Sequence, residues 1–506
     1  MTKSIRIGGA SGFWGDSVIA TPQLLNGNSL DFIVYDYLAE ITMSIMARAR
    51  SKDPSKGYAT DFVSSVMKLN LRQIADQKIK ILSNAGGVNP KACAEALREL
   101  IKEQNLDLKV AVILGDDLMS EKETLNKDKI LEMYSGVDFP DPDKIASINA
   151  YLGAFPIAKA LENGADIVIT GRSVDSAVTL GACIYSFGWN ENEYDFLSSG
   201  SLAGHIIECG TQSTGGNFTD WEQVSENLNN IGYPIVEIES NGLFTCTKSK
   251  SSSGIVNIGT VSEQMLYEIG DPQAYILPDV ICDFSNVELI EIENNMIQVS
   301  GAKGYPSPSD YKVSVTYADG FRGGHLCSFV GIDADKKAQV FGDAIFQRSK
   351  TIMRAMNIPD FDETSVEVIG SNSQYSTDID EKYNNKEVVL KFAAKHEDIR
   401  AIGIMLKESV GLGLATPPGL SGFAGARPKP SPVVRLFSFL IPKSKVPIKI
   451  IDDKEHDIEV SKGENYDSNQ TIRPLKPEYN DIEEELIDVP LIDLAYGRSG
   501  DKGDKA

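Results

Sequence analysis

The chain has 506 residues, of which 42% are hydrophobic and 24% charged, the balance of a globular protein with a sizeable core. At ~150 residues per domain its length suggests about three domains, though one large α/β unit can absorb most of it. Forty-nine basic against 72 acidic residues give a net charge of −23. That excludes a general nucleic-acid binder and an anionic membrane surface as partner, while leaving room for a local basic pocket.

No stretch approaches the ~20 apolar residues of a membrane span. The N-terminal residues lead straight into strand-like sequence without a signal-peptide core, so a cytoplasmic location is expected. Cysteines 93, 183, 209, 246, 282 and 327 are scattered without CxxC pairs and read as reduced thiols.

Short β-branched runs predict strands at Ile5–Gly8, Phe32–Tyr35, Ile79–Leu82, Val110–Leu114 and Ile167–Thr170. Helical patterns fall between them at 37–50, 60–77, 90–105 and 142–163. This alternation predicts an α/β fold: a mostly parallel sheet with helices on both faces. Over 231–450 the runs are shorter and turn-separated, which predicts an antiparallel or mixed α+β part of the same domain. A helix is expected over 335–352, and a Gly/Pro-rich loop over 411–432. Residues 451–490 carry thirteen acids and four bases and read as a solvated linker. Leu491–Tyr496 then reads as a new strand, in a segment that continues beyond Ala506 or forms a disordered tail.

Parallel strands place ligand sites in the loops at their C-terminal edge. Here those loops are polar or glycine-rich: 8–16, 36–40, 83–90, 115–117 and 171–175. In the first, Gly9, Gly12 and Gly15 have GxxGxxG spacing, with Ser11 and Trp14 between. Such a loop can approach a phosphate or substrate, can serve a nicotinamide cofactor with Asp36 on its ribose, or can be a tight turn only. Asn84, Gly86 and Asn89 follow the third strand and are candidate substrate ligands. Arg172 can hold a carboxylate or phosphate bidentately, or pair internally with Asp175. Asp116-Asp117 can hold a divalent cation or cap a helix. No metal site is assigned.

His205-Ile206-Ile207-Glu208-Cys209 is the densest chemical cluster. On a helix, His205 and Glu208 share a face, a pair suited to proton transfer. Cys209 is a weaker nucleophile candidate. Asn217, in the polar run after it, can line a pocket. Glu40 joins Asp36, His205 and Glu208 as a candidate catalytic carboxylate. His325 sits in a turn-like Gly-rich segment, and His396 and His456 read as solvated. Arg427 and Lys429 belong to a Pro-rich strap.

The loops at 7–16, 36–40, 83–90 and 170–175, with 204–217, together resemble the acyclic terpene utilisation protein A family. The resemblance runs from about residue 5 to 445. Leu494–Asp504 also resembles the start of that family's small ferredoxin-like C-terminal domain. It implies a role in breaking down citronellol- and geraniol-type terpenes through CoA thioesters. A carbon–carbon lyase acting on a branched 3-hydroxyglutaryl-CoA-like intermediate is one implied activity, and other acyl or hydroxy-acid substrates fit too.

The leading reading is therefore a catabolic enzyme acting on an acyl-CoA or related carboxylate by lyase or hydratase chemistry. The glycine loop would receive a phosphate, Arg172 would neutralise charge, and His205, oriented by Glu208, would move protons. Asn84 and Asn89 would hydrogen-bond a carbonyl or enolate. The competing readings are an NAD(P)-dependent oxidoreductase and a non-catalytic subunit or scaffold. The expected partners are a small-molecule substrate and a second copy of the chain. The sequence names no cofactor. All of this requires Trp14, Asn84 and Arg172 to converge on one rim of the sheet.

Overall fold

The computed structural model describes residues 3–371, 373, 386–422, 425–465 and 487–489. The chain forms two compact units, one of residues 1–316 and 437–506, the other of residues 317–436.

The first unit is built in the order β1 (Ser4–Gly9), α1 (Ala20–Leu25), β2 (Phe32–Tyr35), α2 (Glu40–Lys52), α3 (Lys68–Gln77) and β3 (Lys80–Ser83). There follow α4 (Pro90–Glu103), β4 (Val110–Leu114), α5 (Lys122–Lys127), β5 (Ile145–Ala150), α6 (Phe155–Glu162) and β6 (Ile167–Thr170). Then come α7 (Ala177–Phe187), α8 (Tyr194–Ile207), β7 (Pro234–Glu239) and β8 (Phe244–Lys248). Strands β1, β2, β3, β6 and β4 lie side by side in that order, all parallel. Antiparallel strands extend this layer on both sides. Beyond β1 come β7, β8, Met296–Ser300 and Glu288–Glu293, and beyond β4 come Ile448–Ile451 and Glu455–Ile458.

The middle strands are apolar without alternation because both of their faces are covered. Every residue of β2 and β6 is buried. Ile33, Tyr35, Ile81 and Ile169 share one core with Leu24, Met46, Leu71 and Leu97 from the helices α1–α4. Their neighbours in sequence point the other way, toward α6 and α7, and Phe32 meets Tyr185 edge-on at 6.4 Å. Each such buried side chain contributes roughly 1.5–3 kcal/mol. The predicted α/β fold with helices on both faces is therefore observed, in a mixed sheet that is parallel at its centre and antiparallel on both sides, where a mostly parallel one was expected.

Two local expectations change. The pattern over 142–163 read as one helix, but it is strand β5 followed by helix α6. β5 pairs with the start of the strand Asp310–Val330, where Tyr151 N donates to Lys312 O at 3.0 Å. That partner lies some 160 residues away, so tertiary pairing overrides the local helical pattern. The helix expected over 60–77 opens with a π-helical turn at Phe62–Met67, a form often found beside functional sites.

The second unit is an antiparallel layer of Glu363–Ile369, Glu387–His396 and the later part of Asp310–Val330. It is covered by helices Ala334–Ala355 and Ile399–Gly411, around Phe329, Phe341, Leu390 and Leu406. His325 is within a strand, opposite Phe392, and not in a turn. His396 is buried, not solvated: its ring accepts from Asp398 N at 2.7 Å. His456 is exposed beside Asp452. Arg427 and Lys429 are exposed. The expected linker contains the strand Glu455–Ile458 near its start. Residues 466–486 of that linker, and the expected strand after 490, lie outside the described residues. Among the described residues no helix is long and apolar enough to cross a membrane.

Candidate functional site

The loops after β2, β3 and β6 meet at the C-terminal rim of the parallel strands. Asn84, fully buried, accepts from Tyr37 N at 2.8 Å through its side-chain oxygen and donates to the Asp36 carboxylate. Ser11 Oγ donates to Asp36 O at 3.0 Å. Arg172 reaches the same loop, where its Nη1 donates to Leu38 O at 2.7 Å. The same nitrogen donates to Asp175 Oδ1 at 2.7 Å, so the internal ion pair considered from the sequence is present. The residues from these three loops do converge, with both polar ends of the Asn84 side chain bonded within the protein.

Arg172 is only 1% exposed. Burial opposes its charge, but Asp175, Tyr151, Glu40 and Asp36 hold it protonated. Its guanidinium lies 4.3 Å over the Tyr151 ring. The Tyr151 hydroxyl donates to Glu40 and lies 3.0 Å from Ser314 Oγ. Burial, and next the Asp175 charge, push the Asp36 carboxyl well above the usual carboxylate range. Asp36 is thus a buried carboxyl whose charged form is disfavoured, in the same cluster as the Arg172 guanidinium.

Helix α8 ends at this cluster. His205 Nδ1 and Glu208 Oε1 are 2.8 Å apart, as the i, i+3 spacing predicts, and both side chains are buried. Glu208 is close enough to raise the Asp36 carboxyl further, which ties this pair electrostatically to Asp36. Gln264, on helix Ile258–Leu266, donates to His205 O at 2.9 Å and fixes the helix end. The Tyr275 ring lies 5.8 Å from that of His205. Burial first, then Glu208, push the Cys209 thiol up, which disfavours its thiolate form.

The glycine loop is used differently from the phosphate reading. A Cβ on Gly9 would stand 2.3 Å from Ile207 O, and one on Gly12 would stand 2.7 Å from Gly210 N. These glycines let β1 and its loop pack on the backbone at the end of α8. The loop also holds an anion of its own chain. Asp16 accepts from Gly12 N at 2.9 Å and from Ser17 N, and its other partner is the Tyr233 hydroxyl at 2.6 Å. The Gly12 and Ser17 N–H groups are therefore already used within the chain. Asp36, which the nicotinamide reading puts on a ribose, is buried and accepts from the Asn84 amide.

Trp14 and Asn89 have their partners outside the cluster. Trp14 Nε1 donates to Asp61, beside the π-helical turn. Gly86 packs against Thr170 O and Pro90. Asn89 donates to Pro54 O and Lys56 O at 2.9 and 2.8 Å, strapping down a surface loop. Asn217 is exposed with φ +55, a left-handed turn position that asparagine tolerates. Asp116 and Asp117 part company. Asp116 is buried and accepts from Arg172 N at 2.8 Å and Asn149 Nδ2 at 2.9 Å, while Asp117 pairs with Arg50 and accepts from Met119 N. Among the described residues no group of three or more His, Cys, Asp or Glu side chains is placed to hold a metal ion.

A family model described as acyclic terpene utilisation family protein AtuA matches residues 5–451. The chain belongs to this family. Comparison with curated proteins and with solved structures finds no match. The family match spans every residue of the cluster around Arg172 and His205, and it places this rim within an acyclic terpene utilisation protein.

Sequence reasoning missed Tyr151, Asn149, Gln264 and Ser314. Tyr151 and Asn149 fell inside the run read as one helix. A signal was present, since Ile145, Ser147 and Asn149 alternate with Ala146, Ile148 and Ala150 in a strand-like manner. Gln264 carries no local signal, because its partner is a backbone carbonyl 59 residues away.

Proposed function

We propose that this protein is a catabolic enzyme that acts on an acyl-CoA or related carboxylate by acid/base lyase or hydratase chemistry. Terpene utilisation, the family's process, supplies branched acyl chains whose C–C and C–O bonds are broken beside a carbonyl.

The observation that carries the reading is the buried His205–Glu208 pair, whose Glu208 is within electrostatic reach of Asp36. With the Nδ1 proton donated to Glu208, Nε2 is the basic nitrogen and moves a proton to or from the substrate. Arg172 offsets the charge that develops on a carbonyl or carboxylate oxygen, an interaction strengthened by burial. Asp36, whose burial disfavours its charged form, would take part in proton transfer near the same charge. Asn84 holds Asp36 in place through its side-chain amide.

The test is turnover of branched 3-hydroxyacyl-CoA and enoyl-CoA substrates by purified protein, followed as product formation by mass spectrometry. Turnover that falls with His205→Ala supports the reading. Absence of turnover across both substrate classes sinks it.

A further inference from the structure

Arg172 has three nitrogens, and they are not treated alike. Nη1 is saturated by Leu38 O and Asp175. Nε and Nη2 are buried and have no hydrogen-bond partner among the described residues. Those two nitrogens form one edge of the guanidinium, the edge that takes a planar anion with two parallel bonds. Leaving two buried donors without acceptors is costly, so the group needs something to hold it there.

Tyr151 supplies that hold. Its ring lies under the guanidinium at 4.3 Å, a cation–π distance. Its hydroxyl donates to Glu40 and lies 3.0 Å from Ser314 Oγ. The backbone locks the two residues together. Leu152 N donates to Arg172 O at 3.3 Å and Val174 N donates to Leu152 O at 3.0 Å, so the loop after β5 is clamped to the loop after β6.

We propose that Tyr151 is a positioning residue of the site: its ring carries Arg172 so that the Nε–Nη2 edge is presented to an anionic group of the ligand. The presence of an anionic ligand rests on the proposed function. The ring–guanidinium hold does not.

Two variants separate the parts of the device. Tyr151→Phe keeps the ring and loses the hydroxyl, whereas Tyr151→Met keeps much of the volume and loses the ring. Phenylglyoxal modification, mapped by peptide mass spectrometry, reads the placement of Arg172 without any ligand. Calorimetric titration with hexanoate, a simple carboxylate probe, reads the edge. Arg172 should be protected in the native protein and in Tyr151→Phe, and modified at least ~10-fold faster in Tyr151→Met. Hexanoate binding should change by less than ~3-fold in the first variant and weaken by at least ~10-fold in the second. Should Tyr151→Met not fold, Tyr151→His, with a smaller ring, takes its place and should give the same changes at reduced size. Equal protection of Arg172 in the ring-less and native proteins overturns the proposal, as does a Tyr151→Phe variant as impaired as Tyr151→Met. A native protein that does not bind hexanoate counts against the anionic-ligand reading, and the modification pattern then decides the role of Tyr151 by itself.

Discussion

Nδ1 of His205 lies 2.8 Å from Oε1 of Glu208, one helical step apart at the end of α8, and neither side chain is exposed beyond 8%. A buried pair of this kind holds the imidazole in one tautomer and one orientation. His205→Ala should lower turnover at least ~100-fold, the usual scale for a general acid/base, while Glu208→Gln should lower it less. Steady-state kinetics on the acyl-CoA substrates checks both. Turnover near that of the native protein in His205→Ala removes the histidine from the mechanism.

Arg172→Met should destabilise the fold. The substitution leaves Asp175 and Leu38 O without their buried partner, and breaking a buried ion pair costs about 3–5 kcal/mol. Urea unfolding monitored by circular dichroism measures the loss. An unchanged midpoint would mean that Arg172 serves binding alone.

Gly9→Ala tests how the glycine loop is used. A Cβ 2.3 Å from Ile207 O forces β1 away from α8, and overpacking of this sort costs typically 1–3 kcal/mol. Gly15 is different: nothing lies within 4 Å of its Cβ position and its φ is +97, so Gly15→Ala carries backbone strain of order 1 kcal/mol only. Thermal melting of the two variants should rank them in that order. A Gly9→Ala protein that melts like the native one contradicts the packing role.

Burial pushes the Asp116 carboxyl up to about 7 in the folded protein, from an ordinary value of 3.8. Between those values the folded state binds more protons than the unfolded state, so this group's contribution to stability falls as pH rises. Its contribution is fully present below about pH 3.8 and is lost as pH climbs through about 7. Asp279, raised by burial to about 6, acts in the same direction over a narrower window. Asp116→Asn should therefore flatten the decline of the unfolding free energy between pH 4 and 7, measured by urea titration at each pH. A variant curve parallel to the native one contradicts a raised Asp116.

The sheet was legible because a strand covered on both faces must be apolar throughout, and that is a local property. Phe32–Tyr35, Val110–Leu114 and Ile167–Thr170 were placed to the residue for this reason. β5 was not, because a half-polar run such as Ile145–Ala150 becomes a strand only when a distant edge pairs with it.

The same division runs through the site. Periodicity alone puts His205 and Glu208 on one helical face, and the order of strands and loops alone puts residues 36–40, 84 and 172–175 on one rim. What each group does there depends on atoms from remote parts of the chain. Ile207 O fills the space beside Gly9, Asp16 accepts from Gly12 N, Asn84 bonds Asp36, and the Tyr151 ring lies under the Arg172 guanidinium. A sequence determines which side chains are polar, apolar or small, and how they repeat. Only packing decides which polar group meets which, because hydrogen bonds and ion pairs act over a few ångströms between residues separated by up to hundreds of positions.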